Sequence, residues 1–259
     1  MLDSLYAGAV ADAAARQELI SISKVEKLAL ATPPAIDAVQ TLSAGKNIRV
    51  IAEIKRASPS KGQLAEISNP AELARTYEDA GASAISVLTE QRSFLGSLDD
   101  LDKVRKTVAL PVLRKDFIAN EYQVLEARAH GADIVLLIAA GLEPELLGRL
   151  KTLIETLGMT AFIETHNKAE VELSAEMGAK LVGINARDLS TFETDRGLFE
   201  ELASFLPKDC VKVAESAVRG ISDVEAYAAA GADCVLVGEA LVTGDASSLL
   251  GSFTQIPKA

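Results

Sequence analysis

Tryptophan is absent from this chain of 259 residues, and cysteine and histidine occur only twice each. Cys210 and Cys234 do not form a C-x-x-C, and His130 and His166 stand at no metal-ligand spacing, which argues against a disulfide framework and a zinc site. Long apolar runs are also missing. The longest, Ile134 to Ala140, falls far short of the roughly 20 residues that a membrane-spanning helix needs. Positive charge is in deficit, with 26 Lys and Arg against 37 Asp and Glu and a net charge of -11. Such a surface repels nucleic acid and anionic membranes, so an anionic ligand would have to be held by a local positive pocket. The opening "MLDSLYAGAVADAAARQELI" lacks the basic start and unbroken apolar core of a secretory signal, and the chain reads as cytoplasmic. No segment has the composition of a disordered one.

What is present is a regular alternation. Eight short β-branched runs recur: 48–54, 82–88, 110–115, 133–138, 160–164, 180–185, 211–215 and 234–238. The stretches between them carry helical spacing, such as Leu146, Leu150, Leu153 and Leu157. Asn69-Pro70 and Glu143-Pro144 mark helix starts, while Gly81, Gly131, Gly158, Gly178 and Gly231 sit where helices should stop. The Gly-Ala pairs at 81, 131, 178 and 231 suggest a repeat of two βα units. Eight βα units with no linker predict an α/β protein built as a (β/α)8 TIM barrel over residues 48–259. An open doubly wound sheet is the alternative, but no G-x-G-x-x-G follows any strand. Residues 1–47 carry their own helical pattern and predict an extension packed across one barrel end.

In such a barrel the active site lies at the carboxyl ends of the strands. Along "IAEIK" alternation puts Ile51, Glu53 and Lys55 on one face and Val50, Ala52 and Ile54 on the other, so the two charges should point into the mouth. Strand three ends at Lys115, strand five at Glu164, strand six offers Asn185 and Arg187, and strand seven offers Glu215 and Ser216. Any one of these could be a solvated loop residue; together they point to one site. A lysine among carboxylates can be tuned as a general acid or an amine nucleophile, and a facing carboxylate can accept a proton. An inward ion pair that merely fills the barrel is the plain alternative, and such pairs stabilise poorly. The loops after strands seven and eight, "ESAVRG" and "VGEALVTG", suit phosphate, with Gly238 permitting close backbone approach. The segment 56–63, "RASPSKGQ", reads as a basic lid over an anion.

The motif "VIAEIKRASPSKG", followed in order by "FLGSLDDL", "LPVLRKDFI", "GINARDL", "AES" and "LVGEAL", resembles the signature of the indole-3-glycerol-phosphate synthase family over residues 48–243. The resemblance implies closure of 1-(2-carboxyphenylamino)-1-deoxyribulose 5-phosphate to indole-3-glycerol phosphate with loss of carbon dioxide and water, without cofactor or metal. It implies Lys115 as general acid, Glu164 as base, and Glu53 with Lys55 assisting dehydration. Asn185 and Arg187 would orient the substrate, Phe117 would stack near the anthranilate ring, and Ser58, Ser216, Gly238 and neighbouring amides would hold the phosphate, with Glu215, Ala217 and Glu239 also in the substrate site. Ala217 stands where the family commonly has glycine, so a left-handed backbone there would be strained. Glu239 is expected to turn away from the phosphate. A small phosphorylated substrate and other enzymes of the tryptophan pathway are the partners implied; with the last residue at Ala259, no fused isomerase domain is expected. A sugar-phosphate isomerase, a Schiff-base aldolase using Lys115, and a non-catalytic phosphate-binding barrel are the rival readings.

Overall fold

The computed structural model describes residues 1–188 and 193–259; Leu189, the last residue of the "GINARDL" motif, lies outside them. Eight parallel strands close into a barrel: β1 (Arg49–Ile54), β2 (Ala84–Leu88), β3 (Val112–Lys115), β4 (Ile134–Ile138), β5 (Thr160–Thr165), β6 (Leu181–Asn185), β7 (Val211–Glu215) and β8 (Cys234–Val237), with β8 pairing back onto β1. The predicted (β/α)8 barrel is therefore observed. Three helices precede it, α1 (Leu2–Leu19), α2 (Ile22–Ala31) and α3 (Ala38–Ser43). The helices that follow are α4 (Pro70–Asp79), α5 (Leu98–Arg105), α6 (Glu121–Ala129), α7 (Pro144–Thr156), α8 (Lys168–Glu176), α9 (Gly197–Leu202), α10 (Ile221–Ala229), α11 (Glu239–Thr243) and α12 (Ala246–Phe253).

Local chemistry sets the element ends. Asn69, Ser97, Asn120 and Asn167 each accept a backbone N–H of the first turn of the helix that follows, which satisfies a donor the helix cannot. Helices α4, α6, α7, α8 and α10 stop at glycines with positive φ. At each, the glycine N–H and the next N–H turn back onto the final turn, as Gly81 does to Glu78 and Ala82 to Tyr77, closing a Schellman motif. Four of the five fall after alternate strands, so the two-unit repeat read from the sequence has a structural basis.

Alternation divides the apolar residues into two layers. Val50, Ala52 and Ile54 face the helices, whereas Ile51, Leu113, Phe162 and Val213 fill the barrel.

The N-terminal segment differs from expectation because it reaches both barrel ends. Tyr6 of α1 packs edge-on against Phe117 near the carboxyl ends of the strands. Val25 and Ala29 of α2 pack on Tyr122 and Leu125 of α6 along the outside. Pro33 and Pro34 then break the helical path, and Ala38 and Leu42 of α3 cluster with Val211 and Cys234 at the opposite end.

Candidate active site

The strand registers place four charges in one layer. Moving around the barrel with a stagger of one residue per strand leads from Glu53 to Lys115, Glu164, Glu215 and back to Glu53. These residues come from β1, β3, β5 and β7, the alternate-strand pattern of a barrel layer. The layer beneath, from the even strands, contains Ser86, Leu136, Gly183 and Leu236. Gly183 is small for a reason: a Cβ there would lie 2.0 Å from Glu215 Oε1. Gly238 likewise leaves room for Glu53, since its Cβ would lie 2.5 Å from Glu53 Oε1. Gly238 was expected to make space for phosphate; the side chain it must clear is a carboxylate of the site.

Lys115 Nζ is the hub. It lies 3.0 Å from Glu215 Oε2, 3.5 Å from Glu53 Oε2 and 3.8 Å from Glu164 Oε2. Burial disfavours each of these charges. At Lys115 that penalty is outweighed by Glu215, Glu53 and Glu164, and the ammonium is held well above the usual lysine range. At Glu53 it is outweighed by Lys115 and Lys55, and at Glu164 by His166, Lys115 and Asn185, so both carboxyls are held below their usual range. Glu215 differs: burial, reinforced by the charge of Glu164, prevails over Lys115 and pushes it up to about 8. Its Oε1 is buried with no hydrogen-bond partner, which suits a neutral carboxyl better than an anion. The layer thus combines a committed proton donor, two committed carboxylates and a carboxyl that can titrate.

A cavity of about 520 Å³ opens above this layer. It is lined by every residue singled out in the sequence: Glu53, Lys55, Ser58, Lys115, Phe117, Glu164, Asn185, Arg187, Glu215, Ser216, Ala217, Gly238 and Glu239. Lys55 lies just past the end of β1, 3.6 Å from Glu53 and facing the Phe94 ring. Asn185 donates from Nδ2 to Glu164 Oε1 at 3.0 Å, while its Oδ1 accepts from Ser216 Oγ and the Arg187 N–H. These bonds hold the site together, a role beyond the substrate orientation expected of it. The Arg187 guanidinium has no ion-pair partner among the described residues. Ser216 and Ala217 both adopt left-handed backbone, φ 69° and 58°, so Ala217 occupies the strained conformation anticipated from the sequence.

Charges of both signs line the pocket: Lys55, Lys61, Lys115, Arg187 and Arg219 stand with Glu53, Asp116, Glu164 and Glu239, and Glu215 adds a carboxyl that can titrate. Glu239 lines the cavity and pairs with Lys61, whose ammonium offsets its charge. The lid is a hairpin of Ala57–Ser58 with Gly62–Gln63. Only Lys61 of its two cations is available to the cavity, since Arg56 is tied to both oxygens of Asp100 and to the Ile67 carbonyl. Sequence reasoning missed His166, whose Nε2 is 3.2 Å from Glu164 Oε1. It also missed Phe94, which lines the cavity beside Phe117.

A (β/α)8 barrel whose uppermost charged layer holds a lysine and three carboxylates beneath a small cavity defines an enzyme that handles protons on a small molecule. The model of the indole-3-glycerol phosphate synthase family matches residues 2–250. Indole-3-glycerol phosphate synthase from Leifsonia xyli is 57% identical over 98% of this chain and 97% of its own length, and the one from Mycolicibacterium vanbaalenii is 55% identical over 96% and 91%. The chain belongs to the indole-3-glycerol phosphate synthase family. It is a lyase of tryptophan biosynthesis that closes the indole ring with decarboxylation and acts on a small phosphorylated substrate. Among solved structures, the N-acetylmannosamine-6-phosphate 2-epimerase of Clostridium perfringens aligns with a TM-score of 0.62 at 16% identity, over 80% of this chain and 92% of that one; the likeness is one of fold. Among the described residues no helix is long and apolar enough to cross a membrane.

Proposed function

We propose that Lys115 is the general acid of ring closure and that Glu164 is the base that completes it. As the aromatic carbon attacks the ketone of 1-(2-carboxyphenylamino)-1-deoxyribulose 5-phosphate, Lys115 delivers its proton to the oxygen. The surrounding carboxylates keep Lys115 in its acid form, and the alkoxide forming beside it is basic enough to draw the proton. Loss of carbon dioxide restores the ring electrons. Glu53 and Lys55 then assist departure of the hydroxyl as water while Glu164 takes the proton released in dehydration, and indole-3-glycerol phosphate results. Glu215 positions Lys115.

For binding, the phosphate lies between Ser58 of the lid and the backbone after β7 and β8, at Ser216, Ala217, Gly238 and Glu239. The anthranilate ring rests near Phe117 and its carboxylate faces Arg187, with Asn185 between substrate and Glu164. We place the protein in the cytoplasm, in keeping with a biosynthetic role. The observation that carries these roles is the meeting of Glu53, Glu164 and Glu215 around Lys115 Nζ at 3.0 to 3.8 Å. The same observation argues against a Schiff-base aldolase, which needs a neutral amine.

The test is fluorescence detection of the indole product from the synthetic carboxyphenylamino sugar phosphate. Lys115→Ala and Glu53→Gln should each cut turnover by at least about a hundredfold with unchanged circular dichroism. Near-normal turnover in both variants would refute the assignment, and a borohydride-trapped adduct at Lys115 would favour the aldolase.

A further inference from the structure

We propose that His166 is a positioning residue, an imidazolium wedged between Glu164 and Glu170 that fixes the Glu164 carboxylate for proton transfer. The inference rests on the reading of Glu164 as the base.

Both ring nitrogens are buried and each faces a carboxylate: Nε2 lies 3.2 Å from Glu164 Oε1 and Nδ1 lies 3.4 Å from Glu170 Oε2. Neither contact has hydrogen-bond geometry, so charge rather than direction holds the ring. A neutral imidazole, with one N–H for two carboxylates, would offer neither of them a countercharge; the doubly protonated ring attracts both.

The rear carboxylate is itself fixed. Glu170 accepts the His166 backbone N–H at 2.7 Å and the Asn167 side-chain amide at 2.5 Å, while Asn167 caps α8 by accepting the Glu170 N–H. This is a variant of the capping box, in which the N3 carboxylate reaches the N–H of the residue before the cap rather than that of the cap itself, and it places Glu170 behind His166 as a consequence of helix initiation. Across the shallow cavity that His166 lines stand the Met1 ammonium, Asp3 of α1 and Arg187, Asp188, Glu193 and Asp195 from the segment after β6, charges of both signs, so the ring answers to Glu164 and Glu170. Burial works against the charge, but Glu164 and Glu170 outweigh it and push the His166 pKa up to about 10.

On its other side, Glu164 is held by Asn185 at 3.0 Å and Lys115 at 3.8 Å. His166 and Asn185 both contact Oε1, which leaves Oε2 towards Lys115. Without the cation, Glu164 would be a freer carboxylate with a greater proton affinity.

With only two histidines in the chain, NMR of the imidazole carbons and nitrogens on the unmodified protein tests the charge directly, His130→Gln supplying the assignment. His166 should keep imidazolium shifts to at least pH 8.5; a midpoint below pH 7.5 overturns the proposal. Kinetically, His166→Gln should lower kcat ten- to a hundredfold with KM within threefold. The acid limb of kcat/KM should move up by at least one pH unit, a shift that a purely structural role would not produce. Glu170→Gln keeps an acceptor for the His166 N–H and should introduce a His166 titration below pH 8.5; absence of that titration counts against the wedge, and the measurement does not depend on His166→Gln folding. If the unmodified protein makes no indole product, or Glu164→Gln retains turnover, the assignment of Glu164 fails and this inference with it. If both hold and His166→Gln leaves kcat and the acid limb unchanged, this inference alone fails.

Discussion

Arg114 and Lys115 are neighbours in β3 that point to opposite faces, and each is surrounded by acidic groups. Arg114 faces outward and is wholly buried. Its guanidinium meets Asp116 at 3.2 Å and Glu126 at 3.0 Å, donates to the Thr89 hydroxyl and the Gln123 carbonyl, and is linked through Glu126 to Arg16 of α1. Donors and acceptors match around the buried guanidinium, and of these partners only Asp116 also borders the cavity. Lys115 faces inward with a single charge among three carboxylates and a cavity above it. The difference lies in closure rather than in charge. A network whose hydrogen bonds are complete fixes the fold, whereas one left unbalanced and open can be completed by a ligand and can move protons.

The sharpest way to break this comparison is to remove each cation in turn. Lys115→Ala should abolish all but about one per cent of turnover and, because the carboxylates it leaves border the open cavity and can take up protons, should cost less stability than loss of the cation from the closed network. Arg114→Ala should do the reverse. It leaves buried Asp116 without a cation and Glu126 with Arg16 alone and should cost about 3–5 kcal/mol, while the molecules that remain folded keep most of their activity. Denaturant melts and active-site-normalised turnover check both. Equal losses of stability in the two variants would erase the distinction.

Gly183→Ala tests the layer from below. The added Cβ would lie 2.0 Å from Glu215 Oε1 and 2.9 Å from the Phe162 ring, so Glu215 must leave its place beside Lys115. Turnover should fall between tenfold and about a hundredfold, the scale of an ångström-sized misplacement. Retained turnover with a displaced Glu215 in a crystal structure would remove that residue from the site's working parts.

A smaller effect concerns pH. Glu215 has its folded pKa raised from 4.5 to about 8. Between those values the unfolded chain has released a proton that the folded chain keeps, so this group's contribution to stability is complete below pH 4.5 and is lost as pH rises towards 8. Glu53 and Glu164, with lowered values, behave oppositely: their contribution is present above about pH 4.5 and is lost as pH falls further. Glu215→Gln should therefore gain stability relative to the parent between pH 5 and 8, read as a growing difference in melting temperature. A constant or shrinking difference would show that Glu215 is ionised throughout.

Much of this was legible in the sequence, and the reasons are local. A carboxylate and an ammonium two residues apart in an apolar strand mark one face, and Gly-Ala pairs at helix ends mark the repeat. What the sequence ranked equally, the barrel stagger separates: Glu53, Lys115, Glu164 and Glu215 share a layer, while Lys55 and Arg187 lie past their strand ends. That stagger is a property of eight strands together. Distance in sequence hid the rest, since Gly238 makes room for Glu53, 185 positions earlier. His166 was set aside because two histidines make no metal site; its signal was its place two residues after Glu164 and just before Asn167-x-x-Glu170, where a helix cap must put a carboxylate behind the ring. The prolines at 33 and 34 could have warned that the first helices would not lie across one end alone.

The finest test compares backbones. Around Arg114 every described residue has ordinary φ, whereas the loop after β7 on the open side carries Ser216 and Ala217 in succession at φ 69° and 58°. Ser216 is held there by its bond to Asn185 and by Tyr227, which donates to its carbonyl; Ala217 has no such tether. A left-handed alanine costs roughly 1–2 kcal/mol, and glycine would relieve it while giving back about 0.4–1 kcal/mol through a more flexible unfolded chain. Ala217→Gly should therefore stabilise the protein by no more than about 1.6 kcal/mol, or roughly 3–6 °C. Phosphate affinity should change little if Ser216 sets the loop and should weaken if Ala217 stiffens it. A melting temperature lowered by this change would mean that the left-handed turn is not strained, and that the open side of β3 is as relaxed as the closed one.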